Sequence, residues 1–249
     1  MTGVGLWASG YPDTAAWTRG TPDSSVGTPA AELIPAALRR RASTLTRIVA
    51  EATQAARAES GADLGRCAMV LGSAFGEISA MVEMIGSFRE DEGMPSPTRF
   101  HNSVHNTPVA FASIATGNQG FVTAIAAGDE TAAMALCEAV GVSAERGGEV
   151  LLVLADETLP PPLGTQRPYA SGAVALILSN DSARSSRARL GPPRRGAAPP
   201  IPLPAAFAAH PCAGGFALVA ALESGRWGPV PLGSREEGWV VDLEPVTSP

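Results

Sequence analysis

Residues 149–156, EVLLVLAD, run apolar without interruption from Val150 to Ala155. A strand with one wet face alternates polar and apolar residues. A run with no polar face predicts a strand buried on both sides, in a sheet covered by helices above and below. CAMVLGS (67–73), GFVTAIAA (120–127) and SGAVALILS (171–179) read the same way, and VGLWAS (4–9) reads as a first strand ending in the turn-rich GYPDTAAW. Between them lie helical patterns. Pro35–Arg57 places Leu38, Leu45, Ile48 and Val49 at helical spacing with arginines opposite, and Gly61 closes it. Residues 77–90 form an amphipathic helix, 91–100 a loop, 103–116 a helix with Pro108 in or near its first turn, and 129–144 an Ala-rich helix. Strand–helix alternation around unbroken apolar strands makes the fold class α/β, with a layered sheet.

The composition then shifts. Residues 182–206 are dense in Arg, Pro and Ala and read as a mobile linker, and beyond them only a helix at 216–225 and a strand at 238–244 are expected. The chain is therefore divided into a main domain over 1–181, a linker over 182–206 and a short extension over 207–249, too small to fold by itself.

Several function classes are excluded. A net charge of −6, with basic residues clustered only at 39–41 and 184–195, leaves no sustained basic face for nucleic acid. The start, MTGVGLWASGYPD, is broken by Gly, Pro and Asp too early for a signal peptide, and no apolar run reaches the roughly 20 residues of a membrane span. Three separated cysteines, Cys67, Cys137 and Cys212, make a disulfide framework improbable, so a reduced, cytoplasmic protein is expected. His101 and His105 stand four apart, but Asn102 occupies the place of a zinc-protease glutamate and no third ligand is apparent, so no metal is expected. Ser73 in GSAFG does not meet the spacing of a hydrolase elbow, and no phosphate-binding glycine loop is present, so no cofactor is expected.

The stretch TAIAAGDETAAMAL (123–136) has the shape of a strand-to-helix elbow, where α/β enzymes mount nucleophiles, yet it carries Asp129 and Glu130. The ordered set of motifs here resembles the N-terminal half of β-ketoacyl synthases, the condensing enzymes of the thiolase fold. CAMVLGSAFGE (67–77) is similar to their strand and turn VVxGSGxGG. PSPTRFHNSVHNTPVAFASIATGNQG (95–120) is similar to the helix that precedes the nucleophile strand near the dimer interface. GFVTAIAAGDETAAMAL (120–136) is similar to the nucleophile elbow GPxxxIxTACxSGxxAI. GGEVLLVLADE (147–157) and YASGAVALILSN (169–180) are similar to the next two strands. The likeness covers about residues 4–180. It is nearest to half-length, chain-length-factor-like proteins that accompany complete ketosynthases in bacterial aryl-polyene clusters.

The resemblance implies a thiolase-like fold of a single N-terminal-type half, a mixed five-stranded sheet between helices, followed by a degenerate C-terminal extension. Counting without gaps from Gly120 places Asp129 at the catalytic cysteine of the family, and a gapped register places Ala126 there; neither is a thiol. A condensing enzyme needs a thiolate at a helix N-terminus to carry its acyl group. A carboxylate cannot replace it, so no catalytic residue is expected, and Asp129 reads as a helix N-cap. The family places the segment 95–120 at a subunit interface. Phe100, His101, His105, Asn106 and Phe111 are therefore candidate interface or acyl-cavity residues, with Phe121, Met81 and Met84 as further bulky groups. The implied role is a non-catalytic, chain-length-factor-like subunit of fatty-acid or polyketide-type synthesis. It would pair with a full-length ketosynthase as a heterodimer, meeting acyl carrier protein only indirectly. The alternative from the residues themselves is an independent acyl-thioester transferase or hydrolase using His105 or His210 with Cys212 or Ser103.

Overall fold

The computed structural model describes residues 1–90, 96–164, 167–181, 183–233 and 237–246. In chain order the elements are β1 (Gly3–Ala8), α1 (Thr14–Arg19), α2 (Ala36–Arg39), α3 (Thr44–Ser60), β2 (Ala68–Gly72), α4 (Ile78–Glu90), α5 (Pro97–Asn102) and α6 (Thr107–Thr116). Then come β3 (Val122–Ile125), α7 (Thr131–Arg146), β4 (Glu149–Asp156), β5 (Gly172–Ser179), β6 (Ala188–Leu190), β7 (Arg194–Ala197), α8 (Ala205–Ala208), α9 (Ala213–Glu223), β8 (Gly228–Pro231) and β9 (Glu237–Pro245).

The main sheet has the order β1-β5-β4-β2-β3. Strands β2, β3 and β4 are parallel, whereas β5 runs antiparallel to β4 and to β1. This is the expected mixed five-stranded sheet. The apolar run of β4 is divided by the pleat: Leu151, Val153 and Ala155 enter the core shared with α3 and α6, while Val150, Leu152 and Leu154 enter the core shared with α7 and α9. Both faces are dry, which is why the strand carries no polar face.

Helix α3 lies so close to β1 that a Cβ on Gly5 would run into the carbonyl oxygen of Ala52, and one on Gly3 would sit 2.5 Å from that of Ala56. Ala52 and Ala56 on α3 keep the approach open from the other side. The single helix expected over Pro35–Arg57 is broken into α2 and α3, because the Ser43 hydroxyl accepts the Thr46 N–H and starts a new helix. Of the loop expected over 91–100, residues 91–95 lie outside the described residues, and Pro97–Asn102 forms a helical turn instead. Helix α6 begins at Thr107, four residues later than expected, with Pro108 in its first turn, where the missing N–H costs nothing.

The segment 182–206, expected as a linker, contributes β6 and β7. Both pair with β9, and β8 adds to the same strand to complete a second, four-stranded sheet. Phe207 and Phe216 are fully buried and pack against Trp17, edge-on and tilted, at centroid distances of 5.1 and 5.2 Å. The C-terminal residues thus share one core cluster with β1, β4 and α7 rather than trailing from it.

Candidate functional site

Parallel strands β2, β3 and β4 end together, and in open α/β sheets ligands and catalytic groups gather at such carboxyl ends. Here that edge is built from the β2–α4 turn, the β3–α7 elbow, the end of β4 and the loop that precedes α9.

Asp156, the last residue of β4, is completely buried and organises the turn after β2. Its Oδ1 accepts the Ser73 hydroxyl at 2.8 Å and the Phe75 N–H at 3.0 Å. Its Oδ2 accepts the Ala74 N–H at 3.0 Å and faces the Cys212 thiol at 3.4 Å. Burial pushes the Asp156 carboxyl above its ordinary value, against these donors. The Cys212 thiol is itself fully buried. Burial, and then the neighbouring Asp156 carboxylate, push it far up, which holds it as a neutral S–H.

His210 packs edge-on against Tyr169 and Phe216. The Cys212 N–H donates to its Nδ1 at 3.0 Å, so the ring proton sits on Nε2 and donates to the Asp156 carbonyl at 3.3 Å. Burial drives the imidazole down to about 4. Both nitrogens are engaged and the ring is neutral, so it cannot serve Cys212 as a base. The sequence placed His210 and Cys212 side by side in one loop. The fold adds Asp156 and Ser73 to them as a knot that holds the turn after β2.

The elbow differs from expectation. After β3 the chain makes a 3-10 turn over Gly128–Glu130, with Gly128 at φ 54°. Asp129 is exposed and makes no cap hydrogen bond. Helix α7 begins without a side-chain cap, and Thr131 instead ties the turn, its Oγ1 accepting the Ala127 N–H at 3.0 Å and donating to the Gly128 carbonyl at 2.7 Å. Glu130 accepts from Arg195 at 3.1 Å and from the Trp239 indole at 3.4 Å, and the Arg195 guanidinium lies over that indole at 4.5 Å. Gly233 packs against the Asp129 carbonyl so closely that a Cβ there would lie at 3.1 Å. The second sheet thereby closes over the elbow. What remains is a cavity of about 200 Å³ lined by Phe75, Asp129, Leu159, Arg167, Tyr169 and His210. Ala126, the alternative register, is likewise exposed and carries no reactive group.

The candidate interface residues separate into two groups. Phe100 is 59% exposed, and His101 and Asn106 are also at the surface. Phe111, by contrast, is buried beside Ala31, Ile34 and Ala50, and reaches the surface only as the floor of a groove of about 340 Å³ under His101 and Ile114. His105 turns inward: its Nε2–H donates to the Ser73 carbonyl at 2.9 Å and its ring covers Gly76. Phe121 is half-buried under the Arg146 guanidinium at 4.6 Å. Ser103, weighed as a nucleophile, is buried and donates to the Phe100 carbonyl at 2.8 Å.

Met81, expected from the sequence as a bulky group here, is joined by residues not singled out there. Met81, Ile85 and Phe88 form an outward stripe on α4, and Val104 and Ile114 extend it beside Phe100. Ile85 and Ile114 are 54% and 60% exposed. Helices α4 and α5 pack together, and the Ser103 hydroxyl reaches Met84 between them. The 81/85/88 spacing is visible in the sequence, where residues 77–90 read as an amphipathic helix whose covering partner is not specified.

The family model for the β-ketoacyl synthase N-terminal domain matches residues 14–199. The chain belongs to the β-ketoacyl synthase family. Among solved structures it is similar to one described as a ketosynthase (ApeO) in complex with its chain length factor (ApeC) from Xenorhabdus doucetiae. That match has 18% identity and a TM-score of 0.71, and it covers 96% of each chain. The ishigamide ketosynthase/chain length factor matches at 15% identity and TM-score 0.59, covering 78% of this chain and 66% of that one. AntDE:AntF, described as a type II polyketide synthase acyl-carrier protein in complex with its ketosynthase, matches at 16% identity and TM-score 0.67, with coverages of 80% and 69%. No curated protein matches the chain. These likenesses establish the thiolase-like ketosynthase fold. At the elbow after β3 the chain presents Asp129 and Glu130, and the second sheet packs against them. Among the described residues no helix is long and apolar enough to cross a membrane.

Proposed function

We propose that the chain is a chain-length-factor-like subunit, acting in the cytoplasm without catalysing condensation itself. It pairs with a full-length β-ketoacyl synthase, stabilises that enzyme and helps shape the cavity for a growing polyene-type acyl chain. The observation that carries this reading is the apolar surface of α4–α6, where Ile85, Phe88, Phe100, Val104 and Ile114 stand between 43% and 60% exposed. Large apolar side chains exposed together on adjoining helices mark a protein-binding face. The elbow supports the non-catalytic part. Asp129 offers no thiolate, and Cys212 and His210 are buried in protonation states unsuited to acyl transfer. Two of the similar structures are described as pairing a ketosynthase with a chain length factor. On this reading acyl carrier protein is met through the ketosynthase.

The test is a condensation assay with acyl and malonyl groups on carrier protein. This chain alone, a ketosynthase from the same organism alone and the two co-expressed are compared. The proposal expects turnover only where the ketosynthase is present, and a longer product distribution when the pair is formed. Condensation by this chain alone would refute it.

A further inference from the structure

The helix that bears the apolar stripe is moored by two buried acids. Glu77, 1% exposed, immediately precedes α4, and its Oε1 accepts the Ser43 and Thr46 hydroxyls of the α3 N-terminus at 2.6 and 2.7 Å. Its Oε2 is buried without a partner. Glu157, 5% exposed, follows β4, and its Oε1 accepts the Ser79 N–H in the first turn of α4 at 3.0 Å. Among the described residues, the ionisable groups that act on this pair are acids, with one imidazole beside them. Asp156 and Glu83 act on Glu157, Glu157 acts on Glu77, and the His105 ring lies against Gly76, with its Nε2–H committed to the Ser73 carbonyl. Among the described residues these neighbours include no cation, so ionising both acids places two charges together in a dry site.

We propose that Glu77 and Glu157 form a proton-operated latch on α4, holding the helix and its apolar stripe firmly when protonated and loosening it when both are ionised. The bearing on partner binding rests on the function proposed above; the latch itself is a property of this chain. Burial, before any other influence, raises Glu77 to about 7 and raises Glu157 as well. The sign follows. An acid whose folded value lies above its unfolded value gives stability that is complete below the unfolded value and lost as pH rises through the folded one. The window for Glu77 therefore runs from its ordinary value of 4.5 up to about 7.

The experiment is hydrogen exchange of the full chain, expressed as protection factors for α4 amides across pH. Wild-type protection should fall roughly 30-fold between about pH 5.5 and about pH 8, from one carboxyl titrating over this window. Glu77→Gln should lose most of that fall, since the amide reproduces the neutral acid, and Glu157→Gln should reduce it. A wild-type fall below about threefold, or a Glu77→Gln profile matching wild type, would overturn the proposal. A Glu77→Gln chain unable to fold would do the same, because the neutral form is the favoured one, and the Glu157→Gln profile then gives an independent reading. Binding to a co-expressed ketosynthase should weaken with rising pH in wild type and not in Glu77→Gln. Failure to bind at any pH would count against the partner reading and leave the exchange result standing.

Discussion

Asp156→Ala isolates the group that holds the site together. The substitution orphans the Ala74 and Phe75 amides, the Ser73 hydroxyl and the Cys212 thiol, all of which point at one carboxylate. A buried donor left without an acceptor costs about 1–3 kcal/mol. The hydroxyl can rotate and the thiol is a weak donor, so the two amides dominate. Removing a desolvated charge returns part of the cost, and the expected net loss is about 2–4 kcal/mol. Asp156→Asn is the sharper comparison. Its Oδ1 can still accept from Ser73 and Phe75, while its NH2 group meets the Ala74 N–H donor to donor, for an expected loss of about 1–2 kcal/mol. Urea unfolding followed by tryptophan fluorescence gives both values, with an unchanged slope showing that the compactness of the states is unaltered. An asparagine variant as stable as wild type, or an alanine variant no worse than the asparagine one, would show that the carboxylate does not organise the turn.

Three other outcomes follow from the packing. Gly5→Ala drives a methyl group into the Ala52 carbonyl and should lower stability by about 3 kcal/mol or prevent folding, whereas Gly141→Ala, which meets nothing within 4 Å, should be neutral or stabilising in unfolding experiments. Glu130→Ala frees Arg195 and Trp239 and should cost about 1 kcal/mol with a change in indole emission, while Asp129→Ala should change neither. Thiol labelling of the native chain should modify half-buried Cys137 first. Cys67, which burial raises to about 12, and the sealed Cys212 should react only on unfolding.

The main sheet was legible because its strands carry their own signature. The apolar runs at 67–73, 149–156 and 171–179 are dry on both faces, and that alone specifies a helix-covered sheet. Strands β6 and β7 were not legible. They are short, rich in Arg and separated by a Pro-Pro pair, and they exist as strands because β9, some 40 to 57 residues further on, offers its ladder to them. The knot of Ser73, Asp156, His210 and Cys212 joins residues up to about 140 apart, a closeness that only the parallel strand ends create. The cap expected at Asp129 is absent because a 3-10 turn over Gly128–Glu130 carries that side chain outward, and α7 starts without a side-chain cap. Phe100 and Phe111 looked alike in the sequence, yet α6 turns Phe111 into a pocket with Ile34 while Phe100 faces outward. Helical periodicity identifies a face without saying whether it is covered by the same chain or by another.

Whether another chain covers it is measured most directly by co-expressing this protein with a full-length β-ketoacyl synthase from the same organism and determining the mass of the eluting species by light scattering. Wild type should elute as a stable complex containing both chains. Ile85→Glu with Ile114→Glu, which puts two charges on the apolar face while leaving the core intact, should weaken association by at least about 100-fold and release the two chains separately. A wild-type chain that elutes alone and monodisperse, or a double variant that binds as tightly as wild type, would contradict the assignment of this face to a ketosynthase partner.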